Sequence, residues 1–194
     1  NGAGGTYATT YAWATNGGAK ATEWISYSNA FGAPDGLYAS NYIEGSTTFM
    51  GLSNFPAAST QTGAITKVEL VRQRLVVPPI DTDDAAVITV SRLSPATTIY
   101  STTSLIYTLN SGFVVDEMTN AFAWSWADFA TNYTISVLAR KNSGGASGGY
   151  FAYDAVGFRI TSVTTGGTGT ASTTLYPVPL TDQYDADKFQ FVSA

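Results

Sequence analysis

Between residues 121 and 161 the chain reads AFAWSWADFATNYTISVLARKNSGGASGGYFAYDAVGFRIT. Tyr133, Ile135, Val137 and Ala139 alternate with Thr134, Ser136, Leu138 and Arg140. Further on, Val156, Phe158 and Ile160 alternate with Ala155, Gly157, Arg159 and Thr161. A period of two puts one set of side chains on a core and the other on a second face. No segment of ten or more residues carries a strong helical period, so the chain is constrained to sheet. The glycine-serine segment 142–149 is too long for a two-residue turn, and the two runs are expected to form an open or wide hairpin.

Composition agrees. The 194 residues suit one large β domain with a substantial core. Aromatics are plentiful, with 12 Tyr, 10 Phe and 4 Trp, and only 12 % of residues are charged. Threonine and serine fill the gap, which suits neutral, hydroxyl-rich sheet faces. The formal charge is −5 and the nine basic residues are scattered. Nucleic acid is therefore not an expected partner, since that affinity comes from neutralising phosphates. No apolar run is long enough to span a bilayer. With no cysteine and no histidine, disulfides, thiolate zinc and thiol catalysis are excluded, and the usual general base is missing. A chain starting at Asn1 without a leader fits a processed export product, and an extracellular or cell-surface location is expected.

In chain order, a glycine-rich arm precedes a strand over 7–15. Tyr7, Thr9, Tyr11 and Trp13 share one face of it, and Ala8, Thr10, Ala12 and Ala14 the other. Further strands are predicted over 20–27, 37–43, 47–52, 64–77, 86–92 and 97–109, with 113–119 ambiguous. Neither face of 64–77 is cleanly apolar, so a bulge or a change of exposure is expected midway. Pro78-Pro79 ends that strand, because proline cannot donate to a ladder. Two more strand candidates, 171–180 and 188–192, follow a glycine-rich linker. Many short strands with turn signals between them indicate an all-β fold, a jelly-roll-like antiparallel β-sandwich with extra terminal strands. A closed barrel ranks second.

Within residues 20–163, a tryptophan is followed by SNAFGAPDGLYAS, FMGLSNF and GAITKVELV, then by WSWADFATNYTISVLAR and YDAVGFRIT. This order resembles a jelly-roll domain of exported surface proteins and virion structural proteins. The resemblance implies a sandwich rather than a reaction. It sets residues 1–15 apart as an N-terminal extension, 16–165 as the sandwich, and 166–194 as C-terminal strands packed on it or exchanged with a neighbour. Filament-forming domains use such ends for strand addition. The face Tyr7, Thr9, Tyr11 and Trp13 is the candidate donor strand, against the alternative of an ordinary edge strand of its own sandwich.

Other constellations carry less. Asp81, Asp83 and Asp84, and Asp182, Asp185 and Asp187, offer closely spaced oxygens that calcium favours. Neither has the twelve-residue loop pattern, and both read better as solvated acidic turns, so no metal or cofactor is assigned. Glu23, Glu69, Asp116, Glu117 and Asp154 are the acids on predicted strands, and no two form a recognised glycosidase pair. Trp24, Trp124 and Trp126 could form a sugar platform, with Trp124 and Trp126 sharing a face if 123–129 is a strand. Core is favoured for Trp24 and one of the pair. Asn132-Tyr133-Thr134 is the only N-glycosylation sequon.

The chain thus reads as a non-enzymatic structural subunit. It would build an extracellular, pilus-like filament from copies of itself by donor-strand complementation. The alternatives are a polysaccharide-binding module using exposed aromatics, and a virion structural protein.

Overall fold

A computed structural model describes residues 5–19, 23–41, 46–141 and 149–164. Its strands form two five-stranded antiparallel sheets. In the first, β1 (Thr6–Trp13) pairs with the long β10 (Tyr150–Thr164), then come β5 (Ala64–Val77) and β8 (Gly112–Glu117). A short β3 (Ala39–Asn41) pairs with the start of β10, on the same side as β1. In the second sheet β2 (Asn16–Ala19), β4 (Ser46–Ser53), β9 (Tyr133–Lys141), β6 (Ala85–Leu93) and β7 (Ala96–Leu105) lie in that order. The chain crosses between sheets at most connections, which makes this a β-sandwich of the jelly-roll kind.

Inward residues of both sheets meet in one core. Phe158 of β10 lies 4.8 Å from Phe55 and 5.1 Å from Phe129, and Tyr133 lies 4.9 Å from Phe129 and 5.1 Å from Trp124. Edge-to-face packing of this kind adds to the area that the rings bury. The alternation read in 133–140 holds, with Tyr133, Ile135, Val137 and Ala139 all buried.

Several expectations are corrected. The runs 133–140 and 156–161 are not a hairpin, because β9 and β10 lie in opposite sheets. A long connection lets the chain cross the core instead of turning back beside itself. Residues 23–27 are not a continuous strand. Ser26 takes a left-handed conformation (φ 53°), which no strand tolerates, and a 3-10 turn follows over Tyr27–Ala30. Only the bridge between Ile25 and Ser40 remains of that pairing.

α1 (Pro56–Ser59) is a single turn, and residues 126–131 form a second short helix, α2 (Trp126–Thr131), so the condition for Trp124 and Trp126 to share a strand face is not met. Asp128 sits in its first turn, where a negative charge suits the helix dipole, and Phe129 turns inward. The predicted strand 97–109 ends at Leu105 in a 3-10 turn over Ile106–Thr108. The long strand 64–77 matches β5, and its exposure changes along its length as expected, from open over 64–67 to buried over 68–72 and partly open beyond. Its bulge lies at Thr66 near the start, and Asp154 bulges from β10 opposite its far end. The strand candidates 171–180 and 188–192 lie outside the described residues.

Candidate functional site

β1 contributes little to the core beyond Ala12 and is an edge strand of its own chain's sheet. It runs antiparallel to β10, Tyr11 opposite Arg159 and Trp13 opposite Gly157. Tyr7, Thr9, Tyr11 and Trp13 share the outward face, as their spacing predicts. Within this single chain residues 6–13 are part of the sandwich.

Registers across the sheet build two rows on that face. One is Tyr11, Arg159, Glu69 and Glu117; the next is Trp13, Gly157, Val71 and Val115, with Phe113 one step along beside Gln73 and Ala155. Gly157 is what lets β1 and its indole settle against β10. A Cβ there would meet the Ala12 carbonyl and come within 2.8 Å of Trp13 Cα and 3.0 Å of its ring. Val71 and Ala155 are fully buried yet stand apart from the main core. The neighbours with the bulk to cover them are Trp13 and Phe113, whose rings meet edge to face at 6.4 Å. Tyr11 lies nearly parallel to Trp13, 5.7 Å between centroids. Tyr11 is 41 % and Phe113 46 % exposed, so the rings keep open surface.

The adjoining row is an ion network. Arg159 Nε and Nη2 donate to the two oxygens of Glu69 at 2.6 and 2.8 Å, and Lys67 Nζ lies 2.8 Å from Glu69 and 3.7 Å from Glu117. The Arg159 hydrogen bond, with help from Lys67, holds the Glu69 carboxyl down at about 2 against burial. The Arg159 guanidinium is raised in turn by Glu69 and by a hydrogen bond with Tyr11. Two cations and two carboxylates leave the patch formally neutral.

The other candidates fall elsewhere. Trp24 is wholly buried against Tyr153, Trp124 packs on the core, and the Trp126 indole donates to the Gly63 carbonyl at 2.8 Å. Glycan attachment at Asn132 meets a side-chain amide already in use. Its Nδ2 donates to Ser94 O at 2.9 Å and to Asp128 Oδ1 at 3.0 Å, and its Oδ1 accepts from Ser94 N at 2.8 Å. Asp154 accepts from the backbone N–H of Asp35 and of Gly36 at 2.9 and 3.0 Å, so it anchors the Pro-Asp-Gly turn. Asp81, Asp83 and Asp84 bring carboxylate oxygens within 4.8 Å of one another, a spacing that a cation would accept. The cluster Asp182, Asp185 and Asp187 lies outside the described residues. Sequence reasoning missed Phe113 and Val115, although their alternation with Val114 and Asp116 was there to read.

No protein-family model matches the chain, and no curated protein matches it. Among solved structures it is similar to a chitosan-binding module derived from a chitosanase/glucanase of Paenibacillus sp. IK-5. The identity is 14 % and the TM-score 0.42, over 77 % of this chain and 96 % of that one. A second likeness is to a structure described as "CBM4 structure and function", 13 % identical with a TM-score of 0.33, over 74 % of this chain and 96 % of that one.

Proposed function

We propose that this domain binds neutral polysaccharide on the outer face of its first sheet. The observation that carries this reading is the ring surface of Tyr11, Trp13 and Phe113, built on strands and set beside an ion network that neutralises itself. Apolar ring faces stack on the C–H faces of sugars, while Arg159, Lys67 and Glu117 offer hydrogen bonds to hydroxyls around them. With both cations committed to Glu69, the patch favours an uncharged glycan over a polyanion. A contiguous exposed apolar patch of this sort also marks a surface with a partner.

Binding rather than catalysis is part of the proposal. Glu69 is ion-paired, Asp116 is bonded to Arg72 at 2.7 Å, and Asp154 is occupied by two backbone amides. The Glu69 carboxyl, held low by Arg159, is not set up to stay protonated as a general acid must. An extracellular setting, where polysaccharide is met, belongs to the same reading.

The test is affinity electrophoresis through gels holding soluble neutral β-glucan, xylan or glycol chitin. Retardation by one of them, lost in Trp13→Ala and in Phe113→Ala, is the expected result. Unretarded migration in all of them overturns the reading.

A second reading keeps the filament. β1 is an edge strand, and its departure would leave residues 157–164 of β10 open for the same strand of another copy. Electron micrographs showing filaments for the native protein and none for a variant lacking residues 1–15 would favour it. Monodisperse particles from both would remove it.

A further inference from the structure

On the inward side of the first sheet β5 carries two arginines two residues apart, Arg72 and Arg74, 4 % and 9 % exposed. Arg72 donates Nη1 to Asp116 Oδ2 at 2.7 Å, and its Nε is buried without a partner. Arg74 stands opposite Tyr153 and Gly112, and its Nε donates to the Asn110 carbonyl at 2.6 Å. Among the described residues no carboxylate pairs with Arg74, whereas Lys67, Arg72, Arg92 and Arg159 each have one. Asp116 is thus bonded to Arg72, and Arg74 has no ion-pair partner among the described residues.

A buried cation without a counter-ion is costly, and burial accordingly pulls the Arg74 guanidinium down from its ordinary value. The planar fork of arginine matches two oxygens of one acid group. The hydrogen bond from Nε to Asn110 fixes that fork and leaves both amino groups to donate. There is space beside the loop 109–111. A pocket of about 360 Å³ is lined by Val76, Pro78, Ile80, Leu109, Asn110 and Ser111. Asn110 is the residue that holds Arg74, and Val76 follows Arg74 on the same side of β5. A Cβ at Gly112, opposite Arg74, would meet no atom within 4 Å.

We infer that this end of the sandwich, between Arg74 and the loop 109–112, is a binding site for a carboxylate or similar oxyanion. The site is distinct from the aromatic face, on the other side of the same sheet. The acid could be a free small anion or a uronic acid unit of a glycan, and the two share one chemistry.

The test titrates the native protein with sodium acetate, then sodium sulfate, and then an oligogalacturonate, at constant ionic strength. The readouts are backbone amide NMR shifts and the thermal midpoint. Saturating shifts at residues 110–112 and a saturating rise in midpoint are expected, both lost in Arg74→Gln and retained in Trp13→Ala. Saturation by the oligogalacturonate at lower concentration assigns the glycan source, and saturation by acetate or sulfate alone assigns the free ion. Should Arg74→Gln fail to fold, Arg74→Lys keeps the charge without the fork and weakens the response at least severalfold. No saturating response in the native protein, or an equal response in the Arg74 variants, overturns the inference.

Discussion

Arg159 holds Glu69 by two contacts of 2.6 and 2.8 Å, across the register that joins β5 to β10. Glu69 is almost fully buried, so the pair is worth more than a surface salt bridge. The folded state holds the carboxyl at about 2 instead of the usual 4.5. Its contribution is whole above the higher value and is lost as pH falls through the lower one. Glu69→Gln is expected to cost about 1.5–3 kcal/mol at neutral pH. Between the two values it should lose less further stability than the native protein does. Urea unfolding midpoints against pH check both statements.

Gly157 is the close approach on which the aromatic face depends. Gly157→Val puts a side chain into the Ala12 carbonyl and the Trp13 ring. The expected cost is about 1–3 kcal/mol from overpacking, with β1 loosened and the rings parted. Tryptophan emission should shift to the red, and glycan retardation should fall with it.

Asp154→Ala removes the acceptor of two backbone amides from a site 2 % exposed. A loss of about 2–4 kcal/mol is expected, as two donors are left unpaired. A lower denaturant midpoint with an unchanged slope identifies this as loss of native stability. Amide exchange should rise first at Asp35 and Gly36.

Asn132→Ala breaks the link between the β6–β7 turn and α2, and should cost about 1–3 kcal/mol. Asn132→Asp keeps the oxygen that accepts from Ser94 and places a second negative charge beside Asp128, so it is expected to rescue little. Thermal melts of the two variants side by side make the comparison.

Strands with strict alternation were legible in the sequence, β9 and β1 above all, because a period of two needs no knowledge of neighbours. Which sheet each strand joins was not legible. β9 and β10 alternate equally well and could sit side by side or face to face, and only the core decides. Residues 123–129 misled because Trp124 and Trp126 are two apart, as in a strand, while the short helix that carries Trp126 is stabilised by its surroundings more than by its own pattern. Tyr11 and Trp13 were found on one face from spacing alone. Their companions Arg159, Glu69 and Phe113 were not, since residues so distant in the chain meet only through register.

β10 joins β1, β3 and β5, and among the described residues it is the sole strand paired with β1. β1 is therefore made well before residues 157–164 and finds its partner only after they have left the ribosome. For that whole interval an aromatic strand edge waits unpaired, which is the condition under which nascent chains aggregate or recruit chaperones. Vectorial synthesis makes the speed of elongation between residues 13 and 164 a determinant of yield, and slow codons over that stretch would lower it.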